Sequence, residues 1–177
     1  MNGPGILQLE NQRQVLATEL SWLPCSEENW EIDEVFEAWK KGQFNRDSVP
    51  SGFFDDKHTE IWFHIPSTLN LKGRWLVHSE QPGIENFTLY YRRSDGVWQT
   101  QVTGDGVAWN RRPLAYGGHT LPLPLGHGTI FLKIRSESRI ATDIEILQPE
   151  TLLVETWGRN LTLVFTYAWI LVIAIAL

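Results

Sequence analysis

The 177-residue chain is long enough for one domain with a proper hydrophobic core, and 42% of its residues are hydrophobic. Its formal net charge of -6 argues against a nucleic-acid partner, because an acidic domain repels phosphate backbones. Its one cysteine, Cys25, excludes an intramolecular disulfide framework and a zinc site built from several cysteines, and we expect an inert, packed thiol there.

The N-terminal third mixes different kinds of element. Residues 1–14 have neither a basic start nor a long apolar run, so we expect a flexible segment and no signal peptide. The stretch VLATEL is a candidate first strand, and WEIDEVFEAWKKGQF predicts a short helix. Asp33 is the expected N-cap of this helix, and Gly42 is expected to end it. The stretch NRDSVPSGFFDDK then predicts a loop.

From Thr59 onward the hydrophobic pattern has period two, which predicts half-buried antiparallel strands. The strands are predicted in TEIWFHIP, GRWLVHS, NFTLYYR, TIFLKIR and IATDIEIL. HTLPLPLG is assigned to a sheet edge, because Pro122 and Pro124 cannot donate to a ladder. The pattern predicts a mainly-β sandwich with jelly-roll connectivity over residues 15–148. The residues expected on its core face are Ile61, Phe63, Ile65, Trp75, Val77, Phe87, Leu89, Tyr91, Ile130, Leu132, Ile134, Ile140, Ile144 and Ile146.

The stretch YYRRSDGVWQT is the clearest local signal for a hairpin. Its Asp-Gly pair predicts a two-residue loop with a type I′ turn between two β-rich flanks. This register places Tyr91 opposite Thr100 and Arg93 opposite Trp98. The residues assigned to the opposite, wetter face are Tyr90, Arg92, Gln99 and Gln101.

The connection from Gly104 to Gly118, GDGVAWNRRPLAYGG, is long and has no convincing strand or helix. Loops of this length in compact domains are often functional. Aromatic faces stack on sugar rings, and arginine or asparagine side chains bond hydroxyls and carboxylates, so we expect a carbohydrate or another small polar ligand here. The alternative is that the aromatic rings plug one end of the sandwich while the arginines pair with nearby acids. The candidate ligand-binding residues are Trp109, Asn110, Arg111, Arg112 and Tyr116.

The sequence offers little support for metal binding or catalysis. No histidine pair has the spacing of a helical zinc motif, and neither the Asp55–Asp56 pair nor Asp105 resembles a calcium loop. No nucleophile lies beside a base, because His78 and Ser79 are adjacent in a strand and point to opposite faces. We therefore expect no metal, no cofactor and no enzymatic activity in this region.

The chain ends with LTLVFTYAWILVIAIAL, residues 161–177, which carry no charge. This run is just short of the ~30 Å hydrocarbon core of a bilayer if it is helical. We expect the start of a first transmembrane helix, cut near its far side, with residues 149–160 as a juxtamembrane link. A buried core helix is the alternative.

The order of several stretches resembles the type 2 extracellular domain of bacterial seven-transmembrane receptors with diverse intracellular signalling modules. The resemblance covers roughly residues 15–177 and depends on EIWFHIP, GRWLVHSEQPG, the LYYRRSDG hairpin, TGD followed by Arg112, and RSES. It implies a galactose-binding-like jelly roll in the periplasm, carbohydrate or a related ligand, seven membrane helices and a cytoplasmic diguanylate cyclase or histidine kinase. His64 stands where the family leads us to expect arginine.

Two functions fit these expectations. The leading one is a ligand-sensing module outside the inner membrane whose bound state shifts the first membrane helix. The alternative is a domain that binds no small molecule and serves as a protein-interaction or homodimerisation surface.

Overall fold

A computed structural model of the chain describes residues 13–15, 20–25, 30–47, 60–66, 73–114, 118–124, 126, 128–136, 144–154, 156–158 and 162. Several predictions fall outside these ranges and stay predictions. They concern most of the flexible N-terminal segment, the Asp55–Asp56 pair, Tyr116, Ile140 and residues 163–177 of the predicted membrane span.

The described ranges contain nine strands, an α-helix, one 3-10 turn and further helical residues near the C-terminus. The helix α1 is Ile32–Lys40 and the 3-10 turn is Trp109–Arg111. Residues 149–154 and 156–158 are also helical. The strands are β1 (Arg13–Val15), β2 (Ser21–Cys25), β3 (Glu60–Ile65), β4 (Leu76–Ser79), β5 (Asn86–Arg92), β6 (Trp98–Thr103), β7 (His119–Pro122), β8 (Ile130–Arg135) and β9 (Glu145–Leu147).

The strands form two antiparallel sheets, with the orders β1-β9-β4-β7 and β2-β3-β8-β5-β6. The prediction of a mainly-β, two-sheet architecture is confirmed. The strand β7, which contains Pro122, lies at the edge of the four-stranded sheet as predicted, because a proline leaves one ladder donor missing.

The main core lies between the inner faces of the two sheets, where alternate residues of each strand meet. The period-two assignment of the core face is confirmed at every predicted position that lies in a described range. Removing this apolar surface from water is the main favourable term in folding such a sandwich. The predicted residues found in or against this core are Ile61, Phe63, Ile65, Trp75, Val77, Phe87, Leu89, Tyr91, Ile130, Leu132, Ile134, Ile144 and Ile146.

The helix α1 covers the outer face of the five-stranded sheet and buries a second, largely aromatic cluster. Asp33 is not its N-cap, so that prediction is wrong. Glu31 is the N-cap, and its backbone N–H donates to the Glu34 carboxylate at 2.9 Å in a capping box. The Asp33 carboxylate accepts from the indole of Trp98 at 3.0 Å instead. Gly42 ends the helix as predicted, at φ +71°.

The Asp-Gly hairpin differs from its prediction by one residue. Its loop has three residues, because Gly96 N donates to Arg93 O at 3.0 Å and Arg93 N donates to Val97 O at 3.0 Å. Only Gly96 of this loop takes positive φ, at +85°, whereas a type I′ turn needs a second positive φ at Asp95. The Asp95 carboxylate instead accepts from Val97 N at 3.1 Å. This is a type I turn with a glycine bulge.

The change of register exchanges the two faces of β6. Tyr91 lies opposite Gln99, not Thr100, and Trp98 lies opposite Arg92. Gln99 therefore lies on the inner face with Tyr91. Tyr90 and Arg92, which are predicted to face water, lie on the face against which α1 packs. A one-residue slip in a strand moves every side chain to the other face.

The helical residues after β9 lie against the four-stranded sheet. Leu152 is buried in a small cluster with Leu76 and Leu147, and Leu114 packs against this cluster from the long loop. Of the helices in the described part of the chain, none is long and apolar enough to cross a membrane. The predicted span lies outside that part except for Thr162, so it stays a prediction.

Candidate functional site

The long loop begins with a tight backbone contact at the end of β6. Gly104 has φ +138°, and a Cβ atom on it would overlap the backbone carbonyl of Glu85. Asp105 N donates to Ile84 O at 2.8 Å, and Gly106 N donates to Glu85 O at 3.0 Å. A side chain at residue 104 is therefore excluded for both conformational and steric reasons. The two glycines fix the start of the loop on the segment before β5.

The Asp105 carboxylate holds two parts of this region together. Its Oδ2 accepts from Gly83 N at 3.0 Å, and its Oδ1 lies 3.9 Å from Nη2 of Arg112. Asp105 is 54% exposed at its side chain, so the ion pair itself adds little stability. The pair nevertheless places a carboxylate acceptor near the guanidinium.

Arg112 is the most enclosed of the predicted ligand-binding residues in the described loop. Its side chain is only 11% exposed. Its Nε donates to Val107 O at 3.1 Å, and its guanidinium carbon lies 5.1 Å from the ring centroid of Trp109. An arginine held in this way keeps further N–H donors in a fixed plane for a hydroxyl or carboxylate.

Trp109, Asn110 and Arg111 form one 3-10 turn at the surface. The side chain of Trp109 is 54% exposed, so this ring does not plug the end of the sandwich. Asn110 and Arg111 are exposed as well. The structure thus brings Trp109 and Arg112 together, places the two residues between them on the surface, and describes nothing at Tyr116.

Residues that the sequence argument did not assign to a site lie directly beside the loop. Thr103 ends β6 and His119 begins β7, so they stand next to the two glycines that bound the loop. Thr103 Oγ1 and His119 Nδ1 are buried and have no hydrogen-bond partner in the described part of the chain. Buried polar groups usually have partners, so these atoms are candidates for a bound polar molecule. Gly104 and Gly118, which adjoin Thr103 and His119 in the sequence, are the signal that could have identified these two residues.

The electrostatic surroundings of His119 favour the neutral ring. Burial lowers the pKa of His119, and the nearby Arg112 charge lowers it further. The Asp105 charge and a hydrogen bond with the backbone of Gln81 act in the opposite direction. A neutral imidazole offers one acceptor and one donor, which suits hydroxyl groups.

Cys25, His64 and His78 are the other reactive side chains of interest in the described ranges. Burial, followed by the charge of Glu60, raises the pKa of Cys25 to about 12, which confirms the inert thiol. His64 and His78 lie in different sheets, and His78 Nδ1 lies 2.8 Å from Thr120 Oγ1. In the ranges that the structure describes, no group of three His, Cys, Asp or Glu residues could hold a metal ion.

Comparison with known proteins agrees with the resemblance seen in the motifs. The family model described as 7TMR-DISM extracellular 2 matches residues 17–148. The search of curated proteins found no match. The matched region includes both sheets apart from β1, the helix α1 and the whole loop from Gly104 to Gly118.

Proposed function

The chain belongs to the 7TMR-DISM extracellular 2 family, the extracellular sensor domains of seven-transmembrane receptors with diverse intracellular signalling modules, and from this premise we propose that its loop site binds carbohydrate. In this proposal the sandwich is a galactose-binding-like jelly roll in the periplasm. Residues 161–177 begin the first helix in the bacterial inner membrane. The output is a cytoplasmic diguanylate cyclase or histidine kinase.

The observation that carries the ligand proposal is the pairing of Trp109 with Arg112. An exposed indole face can stack on the apolar face of a sugar ring. The guanidinium lies over this ring, 5.1 Å from its centroid, so a sugar that stacks on the exposed part of the indole has N–H donors within reach of its hydroxyls. Asp105 supplies an acceptor within the same few ångströms. This arrangement suits a small polar ligand with one apolar face.

Leu114 offers a physical connection from this site to the membrane segment. It follows Arg112 by two residues and packs against the cluster that contains Leu152. A ligand that moves the loop therefore changes the packing of the helical residues that lead toward residue 161. Such a ligand acts only if it binds one arrangement of loop and helix more tightly than the other.

Calorimetric titration of the whole chain in lipid nanodiscs with a panel of neutral and acidic hexoses tests the ligand proposal. We expect Trp109→Ala and Arg112→Ala each to weaken binding by about tenfold or more, because each removes a contact on the order of 1.4 kcal/mol. Val97→Ala and Arg93→Ala, on the exposed hairpin loop, are the matched controls and should bind normally.

Two results would contradict this proposal. Unchanged affinity in both loop variants would remove the loop from the site. A concentration-dependent dimer that binds no sugar, measured by light scattering, would favour the protein-interaction alternative.

A further inference from the structure

An apolar groove of about 770 Å³ lies between the four-stranded sheet and the helical residues that follow β9. This volume is within the usual range for small-molecule sites. Four parts of the chain form it: the start of β4, the end of β7, the loop at Leu114 and the first helical turn after β9. The residues that matter most here are Arg74, Leu76, Leu114, Leu123, Leu152 and Leu153.

The lining of the groove has the chemistry of an amphiphile site. Arg74 is its one ionisable residue, it is exposed, and it has no ion pair with any residue in the described ranges. The other side chains that line the groove are apolar. A molecule with an apolar chain and an anionic head would bury its chain on the leucines and place its head beside the guanidinium.

The helical segment beside the groove carries an exposed apolar stripe. Leu153, Val154 and Trp157 are 59%, 55% and 67% exposed, respectively. Trp157 follows Val154 by three residues and Leu153 by four, so on a helix it lies beside both of them. Exposed apolar residues that cluster in this way mark an interaction surface, and tryptophan in particular is enriched at the boundary between membrane and water.

This stripe lies close in sequence to the proposed entry into the membrane. Leu161 is the third residue after Gly158, and even an extended chain spans at most about 11 Å over that distance. If residues 161–177 enter the bilayer, the stripe therefore lies close to the membrane surface, and Leu153 joins the stripe to the groove. Anionic lipid there attracts an exposed arginine by roughly 1 kcal/mol.

We propose that this groove binds an acyl chain of an anionic phospholipid from the adjacent membrane leaflet, with the phosphate beside Arg74. The inference rests on the proposed function only for the position of the membrane. Lipid in the groove contacts Leu114 and Leu152 at the same time. The lipid thus contributes to the coupling between the ligand loop and the juxtamembrane helix.

Photolabelling of the full chain in nanodiscs tests this assignment. The probe is phosphatidylglycerol with a diazirine in its acyl chain, diluted in phosphatidylcholine, and the adducts are mapped by mass spectrometry. We expect adducts within residues 73–76, 114 and 149–153. Arg74→Gln should lower them by about fivefold, the value for one interfacial charge. Leu153→Asp should abolish them, because it places a charge in the apolar lining.

Matched controls separate these effects from general damage. Arg93→Gln makes the same charge change on the hairpin, which does not line the groove, and Val97→Asp makes the same apolar-to-acidic change at a residue of similar exposure, 53%. Both should label like the unaltered chain. Three results would overturn the proposal. These are equal labelling of Arg74→Gln and the unaltered chain, labelling confined to residues beyond 160, and crosslinked dimers in place of lipid adducts.

The same experiment distinguishes failure of the inference from failure of the proposed function. A chain that does not enter nanodiscs at all contradicts the membrane placement and the lipid site together. A chain that enters them and binds sugar at the loop, but gives no adduct in the groove, contradicts the lipid site alone.

Discussion

The outer faces of the two sheets are covered in very different ways. On the five-stranded sheet, α1 closes the face, and the ring of Phe131 lies 5.5–6.1 Å from the rings of four neighbours. On the four-stranded sheet, the residues after β9 bury little more than Leu152 and leave a groove beside it. The four ring neighbours of Phe131 are Trp39, Phe44, His64 and Trp98.

This difference indicates where stability and function are located. The face under α1 is packed like a core, with buried rings of the sheet in contact with partly buried rings of the helix. Elsewhere, the ends of the long loop carry unpartnered buried polar atoms at Thr103 and His119, and the four-stranded sheet carries the groove. An unpartnered buried polar atom costs stability unless something binds it. Regions that must move or bind are drawn from the less tightly packed parts of a fold.

The largest expected effect comes from a substitution in the packed face under α1. Phe131→Ala should lower the free energy of unfolding by about 4 kcal/mol, because it leaves a cavity among the surrounding rings. Leu152→Ala on the other face should cost only about 2 kcal/mol, since its cluster is small and can collapse. Urea denaturation of both variants checks the comparison, and equal losses would contradict it.

A smaller effect is expected at the start of the ligand loop. Gly104→Ala should cost about 3 kcal/mol and also weaken sugar binding, because the new Cβ overlaps the Glu85 carbonyl. Gly96→Ala is the control: its φ is also positive, but its Cβ meets only the flexible end of Arg92, so about 1 kcal/mol is expected. Urea denaturation measures the loss of stability, and calorimetry measures the affinity for sugar. Normal sugar binding in Gly104→Ala would mean that this turn does not position the site.

The smallest expected effect concerns pH on the α1 face. Burial lowers the pKa of His64 from 6.5 to about 4, so the unfolded chain binds the proton more tightly. The stabilising contribution of the neutral ring is therefore fully present above pH 6.5 and is lost as pH falls toward 4. The loss should be on the order of 2 kcal/mol, discounted for partial exposure. In His64→Phe, the free energy of unfolding should fall between pH 7 and 4 by about this amount less than in the unaltered chain. An unchanged pH dependence of the unfolding free energy would exclude His64 as its source.

Period two and turn chemistry were enough to predict most of the sandwich. Ile61, Phe63 and Ile65 face the core as expected, because alternation in a strand needs no tertiary information. The errors arose where several local solutions compete. The local pattern predicts Asp33 as the cap, but its carboxylate accepts from an indole 65 residues away, which no local pattern reveals. The Asp95–Gly96 turn has two common solutions, and the side chain of Asp95 favours the bulged one.

The site could be predicted only in part. The length and composition of the loop pointed to Trp109 and Arg112, and the structure brings these two side chains together. Thr103 and His119 were missed as neighbours, because their proximity depends on two sheet edges meeting. The groove was also invisible in the sequence, since Arg74, Leu114 and Leu152 are far apart along the chain.

Hydrogen exchange of the full chain in nanodiscs, with and without saturating hexose, reports on the loop and on the juxtamembrane helix in one measurement. We expect slower exchange at residues 104–114 and at residues 149–154, with no change in α1. Protection centred on α1, or no protection at the loop with any sugar of the panel, would contradict this expectation.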